Sequence, residues 1–205
     1  MKILVLNGSP RANGNTSIAV DEFVKTIEAE GVEAEVIRVG STDIRGCVAC
    51  GSCGSTGKCV FDDVVNEVAE KFKEADGLVV ASPVYYASAN STLTALLDRL
   101  FYSSNFDKTM KVASSIVVAR RGGASAAYDQ LNKYFTGCGM VVVTSNYWNS
   151  VHGGAPGEAL KDHEGMQTMR VLARNMAFLI KSIKLGKDEY GVPEKEQKVW
   201  TNFIR

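Results

Sequence analysis

Residues 2–17 read Lys2-Ile3-Leu4-Val5-Leu6-Asn7-Gly8-Ser9-Pro10-Arg11-Ala12-Asn13-Gly14-Asn15-Thr16-Ser17. An apolar strand empties into a loop of small and hydroxyl residues, and a helical pattern starts at once. Such a junction suits an anion: backbone N–H groups converge in the loop, and the helix N-terminus adds the positive end of its dipole. A Walker loop requires Gly-x-x-x-x-Gly-Lys-Ser/Thr and a dinucleotide fingerprint requires Gly-x-Gly-x-x-Gly. Neither spacing is present. Ser9, Asn15, Thr16 and Ser17 around two glycines offer donors for a single terminal phosphate, with Arg11 adding a charge or lying on the rim. The plain alternative is that these residues only cap the helix, although one such residue suffices for a cap.

Outward from that junction, short β-rich runs alternate with longer helical ones. The pattern predicts strands at 2–7, 33–39, 77–82, 111–119 and 140–145, and helices at 15–30, 62–73, 91–103, 124–137 and 161–182. Leu78-Val79-Val80-Ala81 and Ile116-Val117-Val118-Ala119 are apolar throughout, as parallel strands covered on both faces require. The expectation is a doubly wound α/β domain with a five-stranded parallel sheet. In such sheets ligands bind beyond the carboxyl ends of the strands. That directs attention to loops 8–16, 83–90 and 119–123.

The chain has 205 residues, 45% of them hydrophobic, and 23 basic residues against 23 acidic ones. That describes one globular domain with a sizeable core. Zero formal net charge gives no footing for nucleic acid or an anionic membrane, both of which depend on a basic excess. No run of about 18 apolar residues is available to span a bilayer. With no secretory pattern at the start, the expected location is cytoplasmic and the expected partner a small molecule. Residues 1–183 form the expected domain. The polar tail 184–205 carries Trp200, Phe203 and Ile204 at helical spacing and is expected to pack on a neighbouring subunit.

Four motifs occur in order: Gly8-Ser9-Pro10-Arg11 with Gly14-Asn15-Thr16, then Ser82-Pro83-Val84-Tyr85-Tyr86, then Asp98-Arg99, then Arg120-Arg121-Gly122-Gly123. On these the chain resembles the flavodoxin-like NAD(P)H-dependent FMN reductases, including the iron–sulfur flavoproteins, from residue 1 to about 180. The resemblance implies that Ser9, Arg11, Asn15, Thr16 and Ser17 hold the FMN phosphate. It implies that Pro83, Val84, Tyr85 and Tyr86 line the isoalloxazine ring, and that Ala119, Arg120, Gly122 and Gly123 close over its other edge. A planar cofactor does need an aromatic or apolar wall and nearby backbone amides. By themselves, Tyr85 and Tyr86 are equally compatible with ordinary half-buried aromatics. Asp98-Arg99 reads as structural, an ion pair near a helix end or a subunit contact, and His152 as a loop histidine near flavin or solvent.

Cys47-x-x-Cys50-x-x-Cys53-x5-Cys59 lies in a glycine-diluted loop after the second strand. Closely spaced cysteines suit metal or redox chemistry in a reducing compartment. A [4Fe–4S] cluster, zinc and unligated thiols all fit this spacing. Cys138 reads as structural. The implied activity is hydride transfer from NAD(P)H to FMN and on to a small acceptor such as free flavin or a quinone. The alternatives are a relay from a protein donor such as ferredoxin, through an iron–sulfur cluster and FMN, and a flavin-binding regulatory module. A homodimer or homotetramer is the assembly the resemblance implies.

Overall fold

The computed structural model describes residues 1–204. In chain order the elements are β1 (Lys2–Asn7), α1 (Asn15–Ala29), β2 (Glu33–Arg38), α2 (Cys53–Thr56), α3 (Val64–Glu74), β3 (Gly77–Tyr85), β4 (Ser88–Ala89), α4 (Ser91–Ser103), β5 (Val112–Ala119), α5 (Ala124–Thr136), β6 (Val141–Val142), β7 (Ser150–His152), a 3₁₀ turn (Glu158–Lys161) and α6 (His163–Tyr190). The sheet runs β2-β1-β3-β5-β6, all pairs parallel, with β7 also parallel to β5 and β4 antiparallel to β3. This is the flavodoxin-like doubly wound arrangement. The strand order reverses between β1 and β3, so the crevice for a ligand opens where those two strands end.

Alternation along each strand divides the core in two. Ile3 and Val5 of β1, Val79 and Ala81 of β3, and Ile116 and Val118 of β5 face α1 and α6. Leu4 and Leu6, Leu78 and Val80, and Ala113 and Val117 face α3, α4 and α5. Burial on both faces is why these runs carry no polar alternation. The β2 strand at the edge is different: Glu33, Glu35 and Arg38 break its apolar run, and it pairs only with β1.

Seven strands are present where five were expected, for two local reasons. β3 continues through Pro83 to Tyr85 and folds back through Tyr86-Ala87 onto β4 as a two-residue hairpin. The fifth position of the sheet, expected as one strand at 140–145, is instead filled by β6 at one end of β5 and β7 at the other. Between them the chain leaves the sheet at 144–149. Asn149, fully buried, secures the return: its Nδ2 donates to Ser114 Oγ at 2.8 Å and to the Ser115 carbonyl at 3.1 Å, and its Oδ1 accepts from Ser145 Oγ at 2.7 Å. The helix expected at 161–182 runs on to Tyr190, past the boundary placed at 183. Residues 191–204 carry no regular element, and Trp200, Phe203 and Ile204 are exposed. Among the described residues no helix is long and apolar enough to cross a membrane.

Candidate flavin and cysteine sites

The loop after β1 is held rigidly from below. The Gly8 N–H donates to the Ala81 carbonyl at 2.8 Å, the Ser9 N–H to Asn7 Oδ1 at 2.9 Å, and the Arg11 N–H to Ser9 Oγ at 3.3 Å. Asn7 also donates to Ser17 Oγ at 3.2 Å. The backbone of Gly40 lies against the same loop, where a Cβ would stand 2.2 Å from the Ser9 carbonyl carbon. Neither Asn7 nor Gly40 was singled out from the sequence. A polar residue ending the first strand and a glycine following the second were the available signals.

Ser9, Thr16 and Ser17 are buried, while Arg11 is exposed and in no ion pair among the described residues. Asn15 faces sideways. Its Nδ2 donates to the Ala155 carbonyl at 2.9 Å, and its Oδ1 accepts from the Ala159 N–H at 3.2 Å. It therefore ties the first loop to residues 153–159, a fourth loop at this end of the sheet. The glycines in Gly153-Gly154-Ala155-Pro156-Gly157 were the sequence signal for it.

Helix caps separate a structural role from a binding one. Asp63 accepts from Val65 N–H to cap α3, Asn90 accepts from Thr92 and Leu93 to cap α4, and Asp162 accepts from Gly165 to cap α6. By contrast α1 begins at Gly14 and α5 at Gly123, with no side chain accepting from the first turn. Ser and Asn around residues 9–17 thus do not serve as caps. The two long helices whose N-terminal amides lack side-chain acceptors both open from loops expected to hold the cofactor. Those amides and the helix dipoles provide an electrostatic cradle for a phosphate and for electron-rich ring atoms.

The loops after β3 and β5 are in contact. Gly123 has φ +91°, and a Cβ there would lie 2.6 Å from Ala87 Cα. Only glycine permits that approach. Tyr86 and Ala87 occupy the hairpin turn at φ +48° and +60°, a conformation that costs a non-glycine residue about 1 kcal/mol or more. Tyr86 is fully exposed and Tyr85 substantially so, whereas Pro83 and Val84 are half-buried. The tyrosines are not half-buried core aromatics: both stand exposed, Tyr86 in the strained turn that follows β3. Ala119 is buried at the end of β5, and Arg120 is exposed with its stem beside Gly154. Gly122 is exposed and Gly123 half-buried. His152 is exposed; its Nδ1 lies 3.5 Å from Asp162 Oδ2, and its backbone N–H donates to that same oxygen. Glu158 accepts from the backbone N–H groups of Ala155 and Gly154, which hold its carboxyl below the ordinary range.

Cys47, Cys50, Cys53 and Cys59 line one pocket, with Phe61, Arg99, Tyr102 and Ser103 completing its wall. Cys47 and Cys50 are exposed, Cys53 and Cys59 half-buried. Among the described residues no three His, Cys, Asp or Glu side chains gather as a site for a metal ion. Hydrogen-bond donors reach the sulfurs. The Ala49 N–H approaches Cys47 Sγ at 3.5 Å, and Arg99 Nε and Nη2 each approach Cys59 Sγ at 3.2 Å. Ser52 draws the Cys50 thiol below its ordinary pKa through its hydroxyl and its backbone N–H. Ser103 Oγ is buried without a hydrogen-bond partner among the described residues. Four thiols, sulfur-directed donors and an orphaned hydroxyl in one pocket match the donor set of an iron–sulfur group.

The expected Asp98-Arg99 ion pair does not form. Arg99 turns inward to Asp63 and Cys59, while Asp98 accepts from the Tyr134 hydroxyl. Adjacent helical residues point in different directions around the axis, so the sequence neighbours are not spatial partners.

Strand order and loop placement together define a flavodoxin-like α/β protein. The chain belongs to the NADPH-dependent FMN reductase family, whose model matches residues 1–155. It is 35% identical over 192 residues to an iron–sulfur flavoprotein of Methanocaldococcus jannaschii, covering 90% of this chain and 100% of that one. It is 31% identical over 194 residues to an iron–sulfur flavoprotein of Methanosarcina thermophila, covering 92% and 100%. An archaeal flavodoxin superposes with a TM-score of 0.60 at 17% identity, covering 88% of this chain and 99% of that one. FMN-dependent oxidoreduction is the activity class that family membership supports.

Proposed function

We propose that this chain holds FMN non-covalently at the carboxyl end of the sheet, takes hydride from NAD(P)H and passes electrons to a small acceptor such as free flavin or a quinone. The observation that carries this reading is the pair of side-chain-uncapped helices, α1 and α5, opening beside an exposed, strained Tyr86. Ser9, Thr16 and Ser17, with the backbone amides of residues 15–17, bind the phosphate, and Arg11 adds charge from the rim. Asn15 contributes its backbone N–H and positions the 153–159 loop through its amide. Pro83, Val84, Tyr85 and Tyr86 form the ring wall. Ala119, Arg120, Gly122 and Gly123 close the far edge. Bound FMN supplies hydride acceptance and one- or two-electron transfer. The side chains bind and orient, and none is required as acid, base or nucleophile.

The test is the visible spectrum of protein purified without added cofactor. Flavin bands, or saturable binding on titration with FMN, are expected; neither appearing overturns the reading. Anaerobic bleaching of those bands by NADH or NADPH tests the donor.

The cysteine pocket favours a second reading. Here Cys47, Cys50, Cys53 and Cys59 hold an iron–sulfur cluster, and a reduced protein such as ferredoxin is the electron donor. A lone zinc ion needs four sulfurs about 2.3 Å from one point, whereas a cluster takes its ligands at separate corners. The four thiols lining one pocket, together with the iron–sulfur flavoproteins to which the chain is similar, support the cluster. Iron and acid-labile sulfide in anaerobically prepared protein would support it, and their absence would exclude it. We also propose that the exposed tail 191–204 packs against a second subunit.

A further inference from the structure

Arg99 is 1% exposed and heads the fully buried side chains by volume. All five of its N–H groups are engaged. Nη1 donates to Asp63 Oδ2 at 2.7 Å and to the Arg45 carbonyl at 3.2 Å, and Nη2 to Asp63 Oδ1 at 2.9 Å. The remaining Nε and Nη2 protons both point at Cys59 Sγ, each nitrogen 3.2 Å away. Its guanidinium also lies 5.0 Å from the centre of the Phe61 ring, which lines the same pocket. An arginine retained only to join α3 to α4 needs Asp63 alone. Here one edge of the fork serves the carboxylate and the other serves the sulfur.

The four cysteines are therefore not equivalent. Among the described residues Cys59 alone receives hydrogen bonds from a cationic side chain; Cys47 receives one backbone N–H, and Cys53 Sγ lies 4.0 Å from the Tyr102 carbonyl. We propose that Arg99 is the positioning residue for Cys59 as an iron–sulfur ligand, and that its two N–H···S bonds raise the reduction potential of the cluster. This rests on the second reading above. Reduction adds one electron from an external one-electron reductant, with no proton taken up and no bond broken. A permanently charged guanidinium fixed against one ligand sulfur stabilises the state with the extra negative charge.

The experiment uses the full chain, loaded with FMN and reconstituted anaerobically with iron and sulfide. The cluster is titrated potentiometrically with dithionite. Arg99→Lys keeps the charge and loses the fork. Its potential is expected to fall by at least a tenfold change in the one-electron equilibrium, ~59 mV, while iron content per chain stays near wild type. A merely structural role would lower the melting temperature and leave the potential unmoved, which overturns the proposal. Where Arg99→Lys does not fold, the wild-type chain carrying heavy-nitrogen-labelled arginine serves. Pulsed electron paramagnetic resonance of the reduced cluster is expected to show coupling to guanidinium nitrogen, and no coupling overturns the proposal. Wild-type protein that takes up no iron and sulfide removes the cluster reading and this inference with it. A cluster whose potential is unmoved, or one with no nitrogen coupling, removes this inference alone.

Discussion

Tyr86 sits at φ +48° in the β3–β4 turn, fully exposed, where glycine would be the unstrained choice. Tyr86→Gly relieves about 1 kcal/mol of backbone strain and adds a similar unfolded-state entropy cost. We expect an unchanged melting temperature together with FMN affinity lowered by about 1 kcal/mol, roughly fivefold in Kd, for loss of the aromatic contact. Fluorescence titration and a thermal melt separate the two effects. A drop in melting temperature with unchanged Kd would assign Tyr86 to the fold. Gly40 is expected to change both quantities together. A Cβ there collides with the Gly8–Ser9 backbone, so Gly40→Ala is expected to cost about 1–3 kcal/mol by overpacking and to weaken FMN binding as the loop shifts. Urea denaturation and FMN titration measure both. Gly46→Ala, in open space, is the control that should change little. The sequence exposed Tyr86 as a candidate because it follows an apolar strand. It concealed Gly40, because nothing local shows which backbone will lie against a glycine.

Among the elements, the split fifth sheet position depends on Asn149. Its three side-chain hydrogen bonds, two of them buried, join Ser114, Ser115 and Ser145 across the gap between β6 and β7. Asn149→Ala leaves buried polar groups unpaired and is expected to destabilise the protein by about 1–3 kcal/mol. The midpoint of urea denaturation should fall, and amide exchange should rise at residues 143–152. Unchanged exchange there would mean that β7 is held by its backbone pairing alone. The apolar strands β1, β3 and β5 were legible because burial on both faces imposes a continuous apolar run. The excursion at 144–149 was not, since Ser and Asn read as loop until the serines of β5 supply their partners. The helix N-termini show the same division. Ser, Thr and Asn near residue 15 read as phosphate donors with capping as the plain alternative, and backbone geometry places Gly14 at the cap.

At the scale of the molecule, residues 191–204 extend beyond α6 with their apolar side chains exposed, and Lys195 pairs with Asp107. That pairing holds the Asp107 carboxyl at about 2, below its ordinary 3.8. Because the folded-state value is the lower one, the contribution is present above the ordinary carboxylate pKa and is lost as pH falls through about 2. The pair is surface-exposed and is expected to contribute within about 1 kcal/mol, so Lys195→Ala should barely move the melting temperature. Deleting residues 191–205 is expected to preserve FMN binding and to reduce the assembly to a smaller species by light scattering. An unchanged mass would remove the tail from the interface.

The sequence by itself determined the doubly wound α/β class and pointed to the first loop as the candidate phosphate site, with two later loops at the same end of the sheet. These follow from hydrophobic periodicity and from residue types whose local chemistry is the same in any fold. Only the tertiary structure decided that α1 and α5 lack side-chain caps, that Asn15 braces a fourth loop, and that Arg99 serves Cys59 instead of pairing with Asp98. Each depends on side chains distant along the chain meeting in space, with burial and geometry selecting the partner.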